Sequence, residues 1–360
     1  MSEIQSDERR VASVVEEIAG LVDGGFQAME VCGTHTVSIF RSGIRSLLPE
    51  HIELISGPGC PVCVTPIGEI DRAVRLAHRQ DVVLLTFGDL MRVPGSTSSL
   101  SMARAEGSDV RVITSPLDTV EIARGEPGKK VVFFAVGFET TSPAIAAAVR
   151  EAQKSGIGNL FVLSSLRLIP PALRVLLSSG KLALDGFLLP GHVSVIIGAE
   201  PYSFLPREFS SRGVITGFEP LDILEGLSML LRQRNEGRAE IEIQYRRAVR
   251  AEGNPRALRV MDEIFIPVDA RWRGLGIISD SGLALRKEFG EMDAAEAFDI
   301  PYEEVEEPPG CRCGEVLQGL IRPPECPLFG VRCTPMHPVG PCMVSSEGSC
   351  AAFHRYGGMR

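Results

Sequence analysis

The sequence predicts an α/β protein with at least two doubly wound parallel-sheet units, followed by a largely helical or irregular C-terminal region. Short continuous apolar runs bounded by Gly, Pro or Asp recur from about residue 50 to 220. Amphipathic stretches of helical period separate them. Strands apolar on both faces, alternating with helices, belong to parallel sheets covered on both sides. After residue 220 the alternation stops, and the last fifty residues carry six of the nine cysteines.

Taken in order, "MSEIQSDERRVASVVEEIAG" is charged and reads as an amphipathic helix, with no cationic leader. The segments "HIELIS", "DVVLLTF", "DVRVIT", "KVVFFAV", "NLFVLSS", "DGFLLP" and "GVIT" read as buried strands. Helical patterns span residues 70–79, 143–154 and 171–179. Ser142 followed by Pro143 is a good helix start, with the serine as cap. "PLDILEGLSMLLRQRNEG" predicts a helix opened by Pro and closed by Gly, and "EIEIQYRRAVRAEGNPRALRVMDEIF" further helix. "EEVEEPPG" is an acidic linker. The expected division is 1–127, 128–220 and 221–360, with the first boundary at "ARGEPGKK".

With 360 residues, 44 % apolar and 23 % charged, the composition is that of a globular protein with room for two or three domains. A net charge of -9 argues against nucleic acid as partner. The longest apolar runs, "VVLLTF" and "VVFFAVGF", are too short to span a bilayer. A cytoplasmic location is therefore expected, without a membrane partner. In a reducing compartment nine cysteines point to metal ligation or redox work rather than structural disulfides.

Five strand-ending loops carry Gly beside a polar or reactive group: "SGPGCPVCVTP", "TFGDLMRVPGS", "VGFETTSP", "LPGHVSV" and "TGFEP". Ligands of open parallel sheets bind beyond the carboxyl ends of strands, where such loops gather. No dinucleotide or P-loop fingerprint occurs among them. Cys60 and Cys63 form a Cys-x-x-Cys pair expected to open a helix, where the dipole favours thiolate. Cys32 and His35, in "VCGTHT", suit either a nucleophile with its base or two ligands of one metal ion. Glu139 stands before a helix start, where capping electrostatics alone could explain it, and His192 fits a loop or core role as well as a functional one. Asp89 can be read as setting a turn.

In the tail, Cys311, Cys326, Cys333 and Cys350 are separated by fourteen, six and sixteen residues. Four thiolates from a looping chain suit a cubane iron–sulfur cluster or a tetrahedral zinc. Cys313 or Cys342 could replace a neighbour in the set.

"CGTH", "GPGCPVC", "GFETT", "PGHVS", "TGFEP" and "CPLFG…CTP…GPCMVSSEGSCAA" occur in an order that resembles the hydrogenase maturation protein HypD family, from about Met29 to Tyr356. The resemblance implies two α/β domains around a cleft and a third domain with a [4Fe–4S] cluster on Cys311, Cys326, Cys333 and Cys350. It implies a part in building the Fe(CN)2CO group of [NiFe]-hydrogenases with a small chaperone, HypC, and a cyanide donor, HypE. Cys32 would help hold the iron, and Cys60 and Cys63 would act as a thiol–disulfide pair. Thr34, His35, His192 and the backbone N–H groups of the glycine loops are then expected to hydrogen-bond cyanide or CO, and Glu139 is a further candidate catalytic residue. A free-standing iron–sulfur-dependent disulfide reductase of thioredoxin-like partners is the alternative, and a zinc-stabilised binding module a third reading.

Overall fold

The structure, a computed structural model, describes residues 3–357. Eleven strands form two sheets: β1 (Phe26–Glu30), β2 (Ile52–Ser56), β3 (Val82–Thr86), β4 (Val110–Val112), β5 (Lys130–Gly137), β6 (Leu160–Arg167), β7 (Gly186–Pro190), β8 (Arg212–Thr216), β9 (Ile241–Ile243), β10 (Phe265–Trp272) and β11 (Gly276–Leu285). The first sheet has the order β2-β1-β7-β8-β9 and is parallel throughout. The second has the order β10-β11-β6-β5-β3-β4, with β3 to β6 parallel and the β10–β11 hairpin antiparallel. The α/β class and the parallel pairing follow from runs such as β3 and β7, buried at every position.

The sheets cut across the division made along the sequence. The chain passes between them three times, after β2, β6 and β9. Residue 127 falls between β4 and β5 of one sheet, and residue 220 between β8 and β9 of the other. A buried parallel strand advertises its burial but not its partner, so neighbours in sequence look like neighbours in space.

The expected helices are present as Ile67–Ala77, Ser142–Lys154, Ile169–Ser178 and Pro220–Asn235. Ser142 is not the cap: it lies inside the first turn, and its hydroxyl donates to Phe138 O at 2.9 Å. The stretch expected to be continuous helix after residue 240 splits into β9, a turn, and the helix Pro255–Ile264, capped by Asn254 Oδ1 on two backbone N–H groups at 3.1 Å. The hairpin β10–β11 has no counterpart in the sequence reading. A register shift between Val268 and Ala270 breaks its alternation, and glycines at positive φ, Gly274 and Gly276, make the turn.

From Asp299 to Gly357 there is no strand, only short helical turns and the helix Ser349–Tyr356. That last helix packs on the helix Gly33–Arg41, with Phe353 edge-on to Phe40 at 5.3 Å between ring centroids. The largest apolar cluster runs from Met29 in the first sheet through Leu84 and Phe134 in the second to Cys313, Cys342 and Cys350. One core therefore joins both sheets to the cysteine-rich tail. No helix is long and apolar enough to cross a membrane among the described residues.

Candidate functional site

β1 and β2 lie side by side and end in the two cysteine loops. Gly33 N–H donates to Gly59 O at 2.9 Å, stitching the loops together. A Cβ on Gly59 would strike the backbone of Val31 and Cys32, so only glycine allows this approach. The Cys32 loop is thereby held beside Cys60 and Cys63.

Cys60 and Cys63 are joined as a disulfide, with Cα atoms 5.2 Å apart. They open a one-turn helix of their own, Pro61–Val64, ahead of the expected one. Cys63 N–H donates to Cys60 Sγ at 3.2 Å. Cys60 Sγ also lies 3.4 Å from the Ser345 hydroxyl of the tail.

Cys32 is buried at the start of the helix Gly33–Arg41. Burial, and secondarily the Glu347 carboxylate, push its thiol up to about 12. Glu30, at the end of β1, accepts from Cys32 N–H at 3.3 Å and from the Thr36 hydroxyl; burial pushes it up to about 7. Thr34 donates to Glu347 Oε1 at 2.8 Å. Burial raises the Glu347 carboxyl, and the Asp89 charge raises it further.

His35 is buried, with Nε2 2.8 Å from Gly217 O and 3.0 Å from Thr216 Oγ1. A carbonyl only accepts, so Nε2 carries the proton and Nδ1 presents a lone pair. Nδ1 has no partner among the described residues, and burial pulls the imidazole down to about 4, which keeps it neutral. In this structure the His35 N–H is directed at Gly217 O, and its spare ring nitrogen is an acceptor. Its ring stacks on Phe218 at 4.8 Å, and His192 stacks on the same ring at 3.8 Å. His192 is the more open of the two histidines, and partial burial lowers its pKa.

Glu139 follows β5 in the second sheet and is buried. Its Oε1 accepts from Ile169 N–H at 3.0 Å, while Oε2 has no partner among the described residues. Burial pushes it up to about 7. Burial raises the phenol of Tyr202, and the Glu139 charge raises it further.

In the tail, the Cys313 thiol is within hydrogen-bond reach of Cys311, Cys342 and Cys350. Gly340 packs so closely that a Cβ there would meet Cys313 and Cys311 Sγ. Cys333 Sγ accepts from Val339 N–H at 3.3 Å, and Cys326 Sγ sits 3.9 Å from Gly310 O. Of the expected quartet, Cys311 and Cys350 meet on Cys313, where Cys342 joins them, and the charge of Cys333 acts on Cys350. No group of three or more His, Cys, Asp or Glu is positioned around a single metal ion among the described residues. The donor chemistry nevertheless suits a soft centre: six thiols, five of them buried, with the Arg273 guanidinium acting on Cys311 and Cys342.

Glu30, Phe218, Tyr202, Ser345 and Glu347 escaped the sequence reading. Glu30 carried a signal, a carboxylate ending an apolar strand two residues before Cys32. Glu347 and Ser345 lie within the quoted tail motif. Tyr202 carried none.

A family model for HypD, described as "Hydrogenase formation hypA family", matches residues 9–357. The hydrogenase maturation factor HypD2 of Bradyrhizobium diazoefficiens is 48% identical over 343 residues, 93% of this chain and 90% of its own length. The HypD maturation factor of Rhodobacter capsulatus is 45% identical over 355 residues, covering 97% and 94%. That of Escherichia coli is 45% identical over 329 residues, covering 91% and 88%. With its cysteine loops joined at one sheet edge and this match along nearly its whole length, the chain belongs to the HypD family of hydrogenase maturation factors.

Proposed function

We propose that this maturation factor is a scaffold with thiol–disulfide activity on which the Fe(CN)2CO group is assembled. It works in the cytoplasm with a HypC-type chaperone, which brings iron, and a HypE-type donor, which brings cyanide as a thiocyanate. One observation carries the reading: the Gly33–Gly59 stitch sets the Cys32 loop beside the Cys60–Cys63 pair, and Ser345–Glu347 of the tail touches both. Cys32 is the thiolate anchor for the iron, a soft low-spin centre once it carries cyanide and CO. Burial disfavours the Cys32 thiolate, and a bound cation offsets that cost by stabilising the charge as the proton leaves. Release of cyanide from a thiocyanate needs two electrons. The Cys60–Cys63 dithiol supplies them: the thiocyanate and two thiols give a thiol, cyanide, a proton and the disulfide.

Cys311, Cys326, Cys333 and Cys350 are the proposed holders of a [4Fe–4S] cluster, with Cys313 and Cys342 packed against the set and able to substitute. When bound, such a cluster supplies electrons one at a time. His192 is the side-chain donor left for the diatomic ligands, since Thr34 spends its hydroxyl proton on Glu347, and Glu139 is a further candidate catalytic residue.

The disulfide itself favours a second reading, a reductase of thioredoxin-like partners, which has no need of Cys32. Anaerobic purification and a Cys32→Ser variant separate the two. The scaffold predicts about four iron and four sulfide per chain in both proteins, with iron-group assembly lost in the variant and disulfide exchange retained. Assembly at the normal level in Cys32→Ser would leave the reductase reading standing; zinc without sulfide would make the tail structural.

A further inference from the structure

We infer that Ser345 and Asp89 form a proton relay for the Cys60 thiol, an inference that rests on the thiol–disulfide activity proposed above. Cys60 is only 4% exposed and Cys63 is fully buried, so a thiol proton at this pair has little direct access to water. The Ser345 hydroxyl, itself buried, lies 3.4 Å from Cys60 Sγ and donates to Asp89 Oδ2 at 3.2 Å. Asp89 is exposed, at the end of β3 on the other sheet.

The hydrogen-bond capacity of the serine fixes the direction of the relay. A hydroxyl has one proton and two lone pairs. The proton goes to Asp89, and one lone pair accepts from Glu347 N–H at 3.2 Å. The remaining lone pair faces Cys60, so the thiol form of Cys60 donates S–H to Ser345. Proton movement from sulfur to serine oxygen, with the serine proton passing to Asp89, leaves a Cys60 thiolate. Cys63 N–H already points at that sulfur and stabilises the charge.

The electron balance is that of ordinary exchange with a dithiol. The dithiol's first thiolate attacks Cys60, the more exposed sulfur, and the electron pair of the S–S bond leaves on Cys63. The Cys63 thiolate takes the proton of the dithiol's second thiol, whose thiolate then closes the dithiol's own disulfide and releases Cys60 as thiolate. Asp89 passes Cys60 a proton through Ser345, replacing from water the proton that the first thiol gave up. The dithiol loses two electrons and two protons, and the cysteine pair gains both. In the opposite direction the relay removes the proton that makes Cys60 a nucleophile. Asp89 also accepts from Ser346 N–H at 3.2 Å and Ser346 Oγ at 3.0 Å, which anchors the Ser345–Glu347 loop. The other titratable groups facing this path are Cys63, Cys32 across Gly59, and Glu347, and all stay unchanged in the variants below.

The full-length protein, purified without oxygen, is compared with Ser345→Ala, Ser345→Thr and Asp89→Asn. Two rates are read from pH 6 to 9: reduction of the pair by dithiothreitol and iodoacetamide capture of Cys60 in the reduced protein, by mass spectrometry, beside a thermal melt. Ser345→Ala and Asp89→Asn are expected to slow both rates about tenfold and flatten their rise with pH, the low end of what positioned acid–base groups contribute. Ser345→Thr keeps the hydroxyl and restores the rate. The asparagine variant separates relay from anchor, because its amide oxygen still accepts from Ser345 but cannot take up a proton. Wild-type rates in Asp89→Asn, whatever Ser345→Ala does, would overturn the relay while leaving the disulfide activity intact. A wild-type pair that neither reduces nor re-forms would remove the activity and the relay with it.

Discussion

Glu139 accepts one hydrogen bond and has an oxygen with no partner among the described residues, and burial raises its pKa. Its folded-state pKa is raised from 4.5 to about 7, so the folded chain holds this proton more tightly than the unfolded chain. Stability is therefore greatest below 4.5 and falls as pH rises from there through about 7, by about 3 kcal/mol for one such group. Glu30 adds a trend of the same sign. Glu139→Gln removes the charge and retains an acceptor for Ile169 N–H. Thermal melts should show little change at pH 5 and a gain of about 1–3 kcal/mol at pH 8. A variant equally destabilised at both values would show instead that the carboxylate is held ionised by partners. At this scale the sequence was informative about identity and silent about state. It singled out Cys32, His35, Cys60, Cys63, Glu139 and His192 by type and loop position. It could not show that His35 spends its N–H on Gly217, because that carbonyl is 182 positions away.

Among elements, the segment Ser345–Glu347 does more than its lack of regular structure suggests. It reaches from the cysteine tail to Thr34 on one sheet and Asp89 on the other. A Cβ on Gly33 would run into the Glu347 side chain and carbonyl. Gly33→Ala should therefore lift this segment and cost about 1–3 kcal/mol as overpacking does. Limited proteolysis would read it as new cleavage near Glu347 with the two sheets intact; an unchanged digest would mean that the loop adjusts in place. Parallel strands β2 to β8 and most helices were legible because burial on both faces and 3.6-residue periodicity are local properties, whereas β1 went unread and β9 was taken for helix. The β10–β11 hairpin was not, since its bulge disrupts the period-two pattern by which strands are read. Strand pairing was illegible for a different reason: β1 pairs with β2 and β7 through backbone groups that every residue carries.

For the molecule as a whole, Arg273 acts as a fastener. Its N–H donates to Val64 O at 2.8 Å, its Nε to Thr65 O at 3.0 Å, and its Nη1 to Glu307 at 2.7 Å. The hairpin turn, the end of the Cys60–Cys63 helix and the acidic linker meet on this one buried side chain. Glu307→Ala leaves a buried cation short of its counter-charge. Because Glu307 is 37% exposed, the expected loss is modest, about 1–3 kcal/mol. It should appear as a lower denaturant midpoint at unchanged slope. A changed slope would mean that the linker and tail had come away as a unit.

The threefold passage of the chain between sheets has a temporal meaning as well as a spatial one. β1 hydrogen-bonds to β7, and 155 residues lie between Glu30 and Gly186. At roughly 5–20 residues per second, the ribosome delivers the second strand about ten to thirty seconds after the first. For much of that interval Cys32, Cys60 and Cys63 are present in the growing chain without the strand that completes their sheet. The nascent chain thus presents three open thiols to whatever oxidants and metals surround it, and the same cysteines are buried once the sheet is complete.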